Sequence, residues 1–458
     1  MVSLRKGIHI GAMAGVLAFS GPARSDGEID RLKEQLQELD QRIRILQRQQ
    51  ELDKEAEAAR ARETPTVSTG KEGFWLRSAD KAYQIRIGGI IQFDSHWYPD
   101  KTAPIGGTAD TFAMRKVRPV LEGTFLQNIG FRLMPDFGNG STSIQDAYVE
   151  LRLDKAYTIR AGKFKPPIGL ERLQLDSETE FVERGLPTNL APNRDTGLQV
   201  GGSVLSDALS YQAGVFNGNP DNSVTDGDTN DQKDVLGRVF AEPFRNGDGW
   251  LGGLGIGIAF GYGVQQGTAA APNLASYKTV GQQNFFVFDS GAFADGGRTK
   301  VAPQFYYYRG PFGLLGEYID SSQEVSRGSH RKRAFDSSAW QLNAYWVLTG
   351  EDASFRNPTP RKPYAGSVPG WGAVELALRY GKQSIGASAF EGGAGTRLAN
   401  PDVSARQARD AGIGLNWYFN RNFKVQLNYD VTAFEGGAPN GGDANDEKAI
   451  FTRLQANF

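Results

Sequence analysis

Basic side chains crowd two short stretches of the chain, Arg115, Lys116 and Arg118 in one and Arg160, Lys163, Lys165 and Arg172 in the other. In an extended segment successive side chains point to opposite faces. Val117, Leu121 and Phe125 share one face, so Lys116 and Arg118 belong to the other, and Arg115, of the opposite parity, is expected at the rim. Phe131, Leu133 and Phe137 likewise send Arg132 and Asp136 to the polar face, where Arg86 joins them from the preceding segment. Several cations with few anions around a water-filled constriction would concentrate anions and replace their hydration with charge-assisted hydrogen bonds, which suits phosphate-like oxyanions. Asp136 would keep such binding weak enough for release. The alternative stays open: arginine rows facing acids also stiffen a barrel without selecting any solute.

Other chemistries find little support. There is no Cys, which removes thiol nucleophiles, thiolate metal sites and disulfide scaffolds. Only three His occur; His96 lies near Asp94 and Ser95, but neighbours along a strand diverge and make no triad, so no enzyme is expected. No metal-ligand spacing and no nucleotide-binding glycine loop is found, and no cofactor is expected. Residues 226–230 resemble a calcium loop in composition but lack its Gly and distal Glu, since Asp231 and Gly237 stand there. The basic run 327–333 could hold lipopolysaccharide phosphates, but an exposed loop is the safer reading. A formal net charge of −1 gives no global field for nucleic acid.

The elements that must carry these residues are strands. In the last ten residues Ile450, Thr452, Leu454, Ala456 and Phe458 alternate with Phe451, Arg453, Gln455 and Asn457, and the same alternation runs through 412–419 and 423–431. Mean hydropathy is only −0.44 despite 27 Phe and 16 Tyr. A membrane barrel reconciles the two, because only alternate residues meet lipid, and no stretch reaches the ~18 apolar residues of a spanning helix. Alternating segments begin near residues 82, 111, 130, 143, 156, 195, 208, 234, 253, 299, 311, 336, 372, 406, 422 and 448. The expected fold is an all-β transmembrane barrel of about 16 antiparallel strands with an N-terminal α-helical coiled coil. Short connections such as 127–130, 154–155, 206–207, 309–310 and 420–422 read as inner turns, and 165–194, 218–233 and 265–298 as long outer loops. The span 349–371 is too long for an inner turn, so either it enters the lumen or the strand count errs there.

Ahead of the barrel, assigned to residues 74–458, the chain reads as a secretory signal at 1–23 and a periplasmic coiled coil with linker at 24–66. Ile29, Leu32, Leu36, Leu39, Ile43 and Leu46 repeat at heptad spacing over fewer than three heptads, and 64–73, with Pro65 and Gly70, reads as linker. A solvated single helix is the other reading of that stripe.

The segment GKFKPPIGLERL at 162–173 resembles the signature of the phosphate-selective porin O and P family. RPVLEGTF from Arg118, TEFVERGLP from Thr179, GLQVGGSV from Gly197, YQAGVFNG from Tyr211, GRVFAEPF from Gly237, GLNWYFN from Gly414 and FTRLQANF at the end resemble it further, in order. The resemblance implies a homotrimer of sixteen-stranded barrels in the bacterial outer membrane, in contact with its lipid and lipopolysaccharide. It implies a loop after the fifth strand folded into the pore and a basic constriction passing small inorganic anions such as phosphate, pyrophosphate or polyphosphate. Arg115 and Lys116 match the family's paired basic residues, and Asp136 its constriction acid. Ile90, after Gly88 and Gly89, departs from the family's Arg and removes one cation. A general porin without phosphate selectivity, or a structural tether whose coiled coil grips peptidoglycan, remains the alternative.

Overall fold

A computed structural model describes residues 26–70, 73–224, 228, 230–245, 247, 249–329, 332–364 and 370–458. The expected signal at 1–23 lies outside these residues, as do parts of the 226–230 and 327–333 runs. The chain forms two compact units, one ending at Thr64 and one spanning Pro65–Phe458. In the first, helix α1 (Asp26–Glu63) carries its apolar stripe bare, with Leu36 69% and Leu46 63% exposed. Ion pairs along its surface, Glu38 with Arg42 at 2.8 Å and Asp40 with Arg44 at 3.0 Å, lie within the helix.

The second unit is a closed antiparallel barrel. Its strands are β1 (Gln84–Trp97), β2 (Thr111–Phe125), β3 (Ile129–Asp136), β4 (Ser143–Arg152), β5 (Thr158–Phe164), β6 (Asp195–Val204), β7 (Leu209–Phe216) and β8 (Asp234–Ala241). They continue with β9 (Leu254–Gln266), β10 (Ala292–Arg309), β11 (Phe312–Arg327), β12 (Arg333–Val347), β13 (Ala373–Ile385), β14 (Ala405–Tyr418), β15 (Phe423–Ala438) and β16 (Glu447–Asn457). Each pairs with its neighbour in sequence, and β16 closes on β1 with Leu454 opposite Phe93. Closure leaves no edge to hydrogen-bond with lipid, which has no donors to offer. Among the described residues no helix is long and apolar enough to cross a membrane.

Burial shows which way the faces point. Ile87, Leu121, Leu133, Ile413 and Leu427 are exposed on the outside, while Gln92, Asp94, Arg379, Gln426 and Arg453 are buried within. A sheet in water would reverse this, since each large apolar side chain left wet forgoes about 1.5–3 kcal/mol. The outer surface is therefore built for hydrocarbon. Aromatic rings cluster near the short-turn end, Phe312 on Trp346 and Trp417 on Phe419, where amphipathic rings suit a membrane interface.

Two expectations fail in detail. Residues 64–73 are not plain linker: Thr66–Gly70 pairs with Gly73–Arg77, which in turn pairs with β1, because Thr66, Val67 and Thr69 favour extended backbone. Strand β10 starts at Ala292, seven residues before the expected Thr299. A register shift between Ala294 and Arg298, with Gly296 at φ +140°, breaks the alternation that marked the start.

Candidate functional site

Residues 165–194, between β5 and β6, fold into the lumen and fasten to the far wall. The Glu317 carboxylate accepts from Leu170 N at 2.6 Å, Arg379 Nη1 donates to Glu183 O at 2.9 Å, and Asn428 Oδ1 accepts from Val182 N at 2.6 Å. Lys424 Nζ donates to Thr179 O at 2.9 Å. The described part of the 349–371 span, residues 349–364, enters from the opposite end, as one of the two expectations for it had it, and meets this loop: Asn357 Nδ2 donates to Ser177 O at 2.8 Å. A small hairpin, Tyr277–Lys278 against Asn284–Phe286, packs on it from the long-loop side, with Asn189 Nδ2 donating to Lys278 O at 2.7 Å. The loop thus stands off the arc β1–β7, and the space between is lined by charge.

Two cavities occupy that space. The first, about 300 Å³, presents seven cationic side chains against three carboxylates, Asp136, Asp176 and Glu183. The second, about 350 Å³, holds Arg86, Arg132, Arg160 and Lys165 with the apolar Ile90 and Met134. Asp176 and Arg194 line both.

The expected residues divide between the cavities. Lys116 and Arg118 face the first, and Arg118 Nε donates to Asp136 Oδ2 at 2.7 Å. Arg115 does not stand at the rim. The register of β1 on β2 jumps from Gln92 opposite Lys116 to Phe93 opposite Met114, so Arg115 is an extra, bulged residue. The bulge turns it inward, where Nε and Nη2 donate to both Glu183 oxygens at 2.7 and 3.1 Å. In the second cavity Arg86 pairs with Glu122 at 2.6 Å, and Arg132 bridges Glu122 and Asp146. Arg160 pairs with Glu150 at 2.7 Å and lies over the Tyr148 ring at 4.4 Å. Lys165 Nζ donates to Gln174 O at 2.5 Å. Lys163 lines neither cavity and donates to Val224 O at 2.7 Å.

Sequence reasoning missed Asp176, Glu183, Arg184 and Arg194, the loop's own charges. Asp176 takes Arg184 at 2.6 Å, Lys116 at 3.2 Å and Arg194 at 3.6 Å, and is bonded also to Arg118. Burial pushes the Asp176 carboxyl up, but Lys116, Arg184 and Arg118 outweigh it and hold it well below the usual carboxylate range. The only signal in the sequence was the charge density of 176–194.

Asp94, His96 and Glu183 were not expected to meet, yet their ligand atoms lie within 4.8 Å of one another. Residues two apart on a strand share a face, and the loop supplies the third. Arg453 donates to both Asp94 oxygens at 2.7 Å and Arg115 holds Glu183, so cationic side chains already neutralise the carboxylates a metal would use. Ser95 turns away to accept from Trp97 Nε1 at 2.5 Å, and no triad forms.

A closed sixteen-stranded barrel, apolar outside, with loops folded into a charged lumen, defines an outer-membrane channel. The model of the family Phosphate-selective porin O and P matches residues 85–458, and the chain belongs to that family. Porin O of Pseudomonas aeruginosa is 24% identical over 419 residues, covering 85% of this chain and 91% of that protein. Among solved structures, the outer-membrane channel DcaP of Acinetobacter baumannii has 11% identity and a TM-score of 0.54, covering 82% of this chain and 98% of that one. An anion-selective porin from Comamonas acidovorans has 12% identity and a TM-score of 0.50, covering 82% and 99%.

Proposed function

We propose that this outer-membrane channel favours anions and takes up phosphate, pyrophosphate or polyphosphate through the two cavities between loop 165–194 and strands β1–β7. The observation that carries the reading is the surplus of four positive charges lining the first cavity, in a space bounded by protein. Arg115, Lys116, Arg118, Arg172, Arg184 and Arg194 each already meet an acceptor, so at these six a permeant oxyanion exchanges places with the acceptor instead of meeting bare charge. Arg115, Lys116, Arg118, Arg172, Arg184 and Arg194 are the bonding groups, with Arg86, Arg132, Arg160 and Lys165 beyond. The description of the family, Phosphate-selective porin O and P, supports phosphate as the solute. Ile90, which faces inward opposite Arg118, supplies no bond to an oxyanion and favours a weaker site.

The protein in this reading is a homotrimer, with α1 in the periplasm zipping three copies through the bare stripe. A tether of α1 to peptidoglycan is favoured by the same unpartnered helix, and a pull-down of residues 24–66 on peptidoglycan that retains nothing rules it out. The solute is tested by single-channel recording, titrating phosphate and then pyrophosphate into chloride. Concentration-dependent block of the chloride current is expected; steady current without block leaves a general porin with structural arginines.

A further inference from the structure

Among the described residues Asp176 is the one carboxylate that lines both cavities, and it sits among four cations, two from the barrel wall and two from its own loop. Lys116 and Arg118 come from β2, Arg184 from the middle of the loop and Arg194 from its end. Its main chain is fastened as well, Gln92 Nε2 of β1 donating to Asp176 O at 2.9 Å. The side chain is only 5% exposed. A carboxylate surrounded in this way makes the same bonds that a phosphate oxygen pair would make, because Arg and Lys donors do not distinguish the two acceptors beyond charge and geometry.

We propose that the Asp176 carboxylate is a tethered competitor for the oxyanion site, and so sets how tightly the channel holds its solute. The inference rests on the anion-channel reading. An arriving anion displaces the carboxylate from Lys116, Arg118, Arg184 or Arg194, and the carboxylate returns when the anion moves on. The exchange keeps every cation paired throughout, which avoids the cost of leaving a charge desolvated and alone. The competing carboxylate also repels the solute, which shortens residence and favours throughput over affinity. Asp136 is different: its Oδ1 accepts from Val117 N at 3.2 Å and Gly138 N at 3.0 Å, so it is tied to the barrel wall. The Asp176 carboxylate is held by side-chain cations that an arriving anion can also bind, and it is the exchangeable partner of the two.

Asp176→Asn keeps the shape and one acceptor while removing the charge. In bilayers of the full-length channel, phosphate block of the chloride current is expected at about tenfold lower concentration or less, since a like charge a few ångströms from the anion is gone. The chloride-to-potassium permeability ratio rises in the same variant. Equal block and an equal ratio in variant and wild type overturn the role of Asp176 and leave the phosphate reading standing. Weaker block with larger conductance also overturns it, since that is the signature of a carboxylate that only holds the loop in place. A raised ratio with no phosphate block in either protein keeps Asp176 as competitor for anions in general and sinks the phosphate reading alone.

Discussion

The charges at the constriction come in exchanged pairs, and this decides what a substitution does. Arg118 touches both Asp136 and Asp176, and Lys116 touches Asp176. Replacing Lys116 and Arg118 together by Glu changes the wall by four charge units and leaves both acids without those partners. Cations should then carry the larger share of current, read as a change of sign in the reversal potential under a salt gradient; an unaltered sign means these residues do not line the path. Lys116 and Arg118 were legible because strand alternation assigns a face to each residue. Arg115 was not, because a single bulge at Met114 and Lys116 inverts parity locally and nothing in the residue types announces it. Asp176 was illegible for a different reason: loop side chains have no period, and only folding brings position 176 to position 118.

At the scale of elements, alternation located fifteen of the sixteen strand starts within three residues, the exception being β10 with its glycine-rich register shift. The loop that narrows the lumen is held partly by charge, and pH tests that hold. Burial pushes the Glu183 carboxyl up, but the bidentate Arg115 and the nearby Arg453 bring it down to about 2. A depressed folded value means the contribution is fully present above the usual Glu value of about 4.3 and fades as pH falls through about 2. The difference in open-channel conductance and noise between wild type and Glu183→Gln should therefore stay level from pH 8 to 4.5 and shrink only near pH 2 to 3; a difference that vanishes at pH 5 to 6 would show that the Glu183 charge does not anchor the loop. Helix α1 has its own test. Leu32→Asp with Leu39→Asp should lower the temperature at which the detergent-solubilised assembly dissociates, by several degrees, whereas an unchanged temperature makes α1 a solvated single helix.

For the whole molecule, the inversion of a greasy outside and a charged inside follows from one rule, that backbone groups in hydrocarbon must pair internally, and the barrel satisfies it by closing β16 on β1. The lumen that results is far from empty, since three inserted segments meet in it. An anchor and a channel would share this wall; they differ in whether ions cross, and in which. The measurement that separates them is the reversal potential of the purified protein in a planar bilayer under a tenfold potassium chloride gradient. A conducting pore whose potential lies toward that of chloride is the predicted result. A potential toward that of potassium, or a protein that inserts and passes no current, would contradict an anion path through the Asp176 constriction.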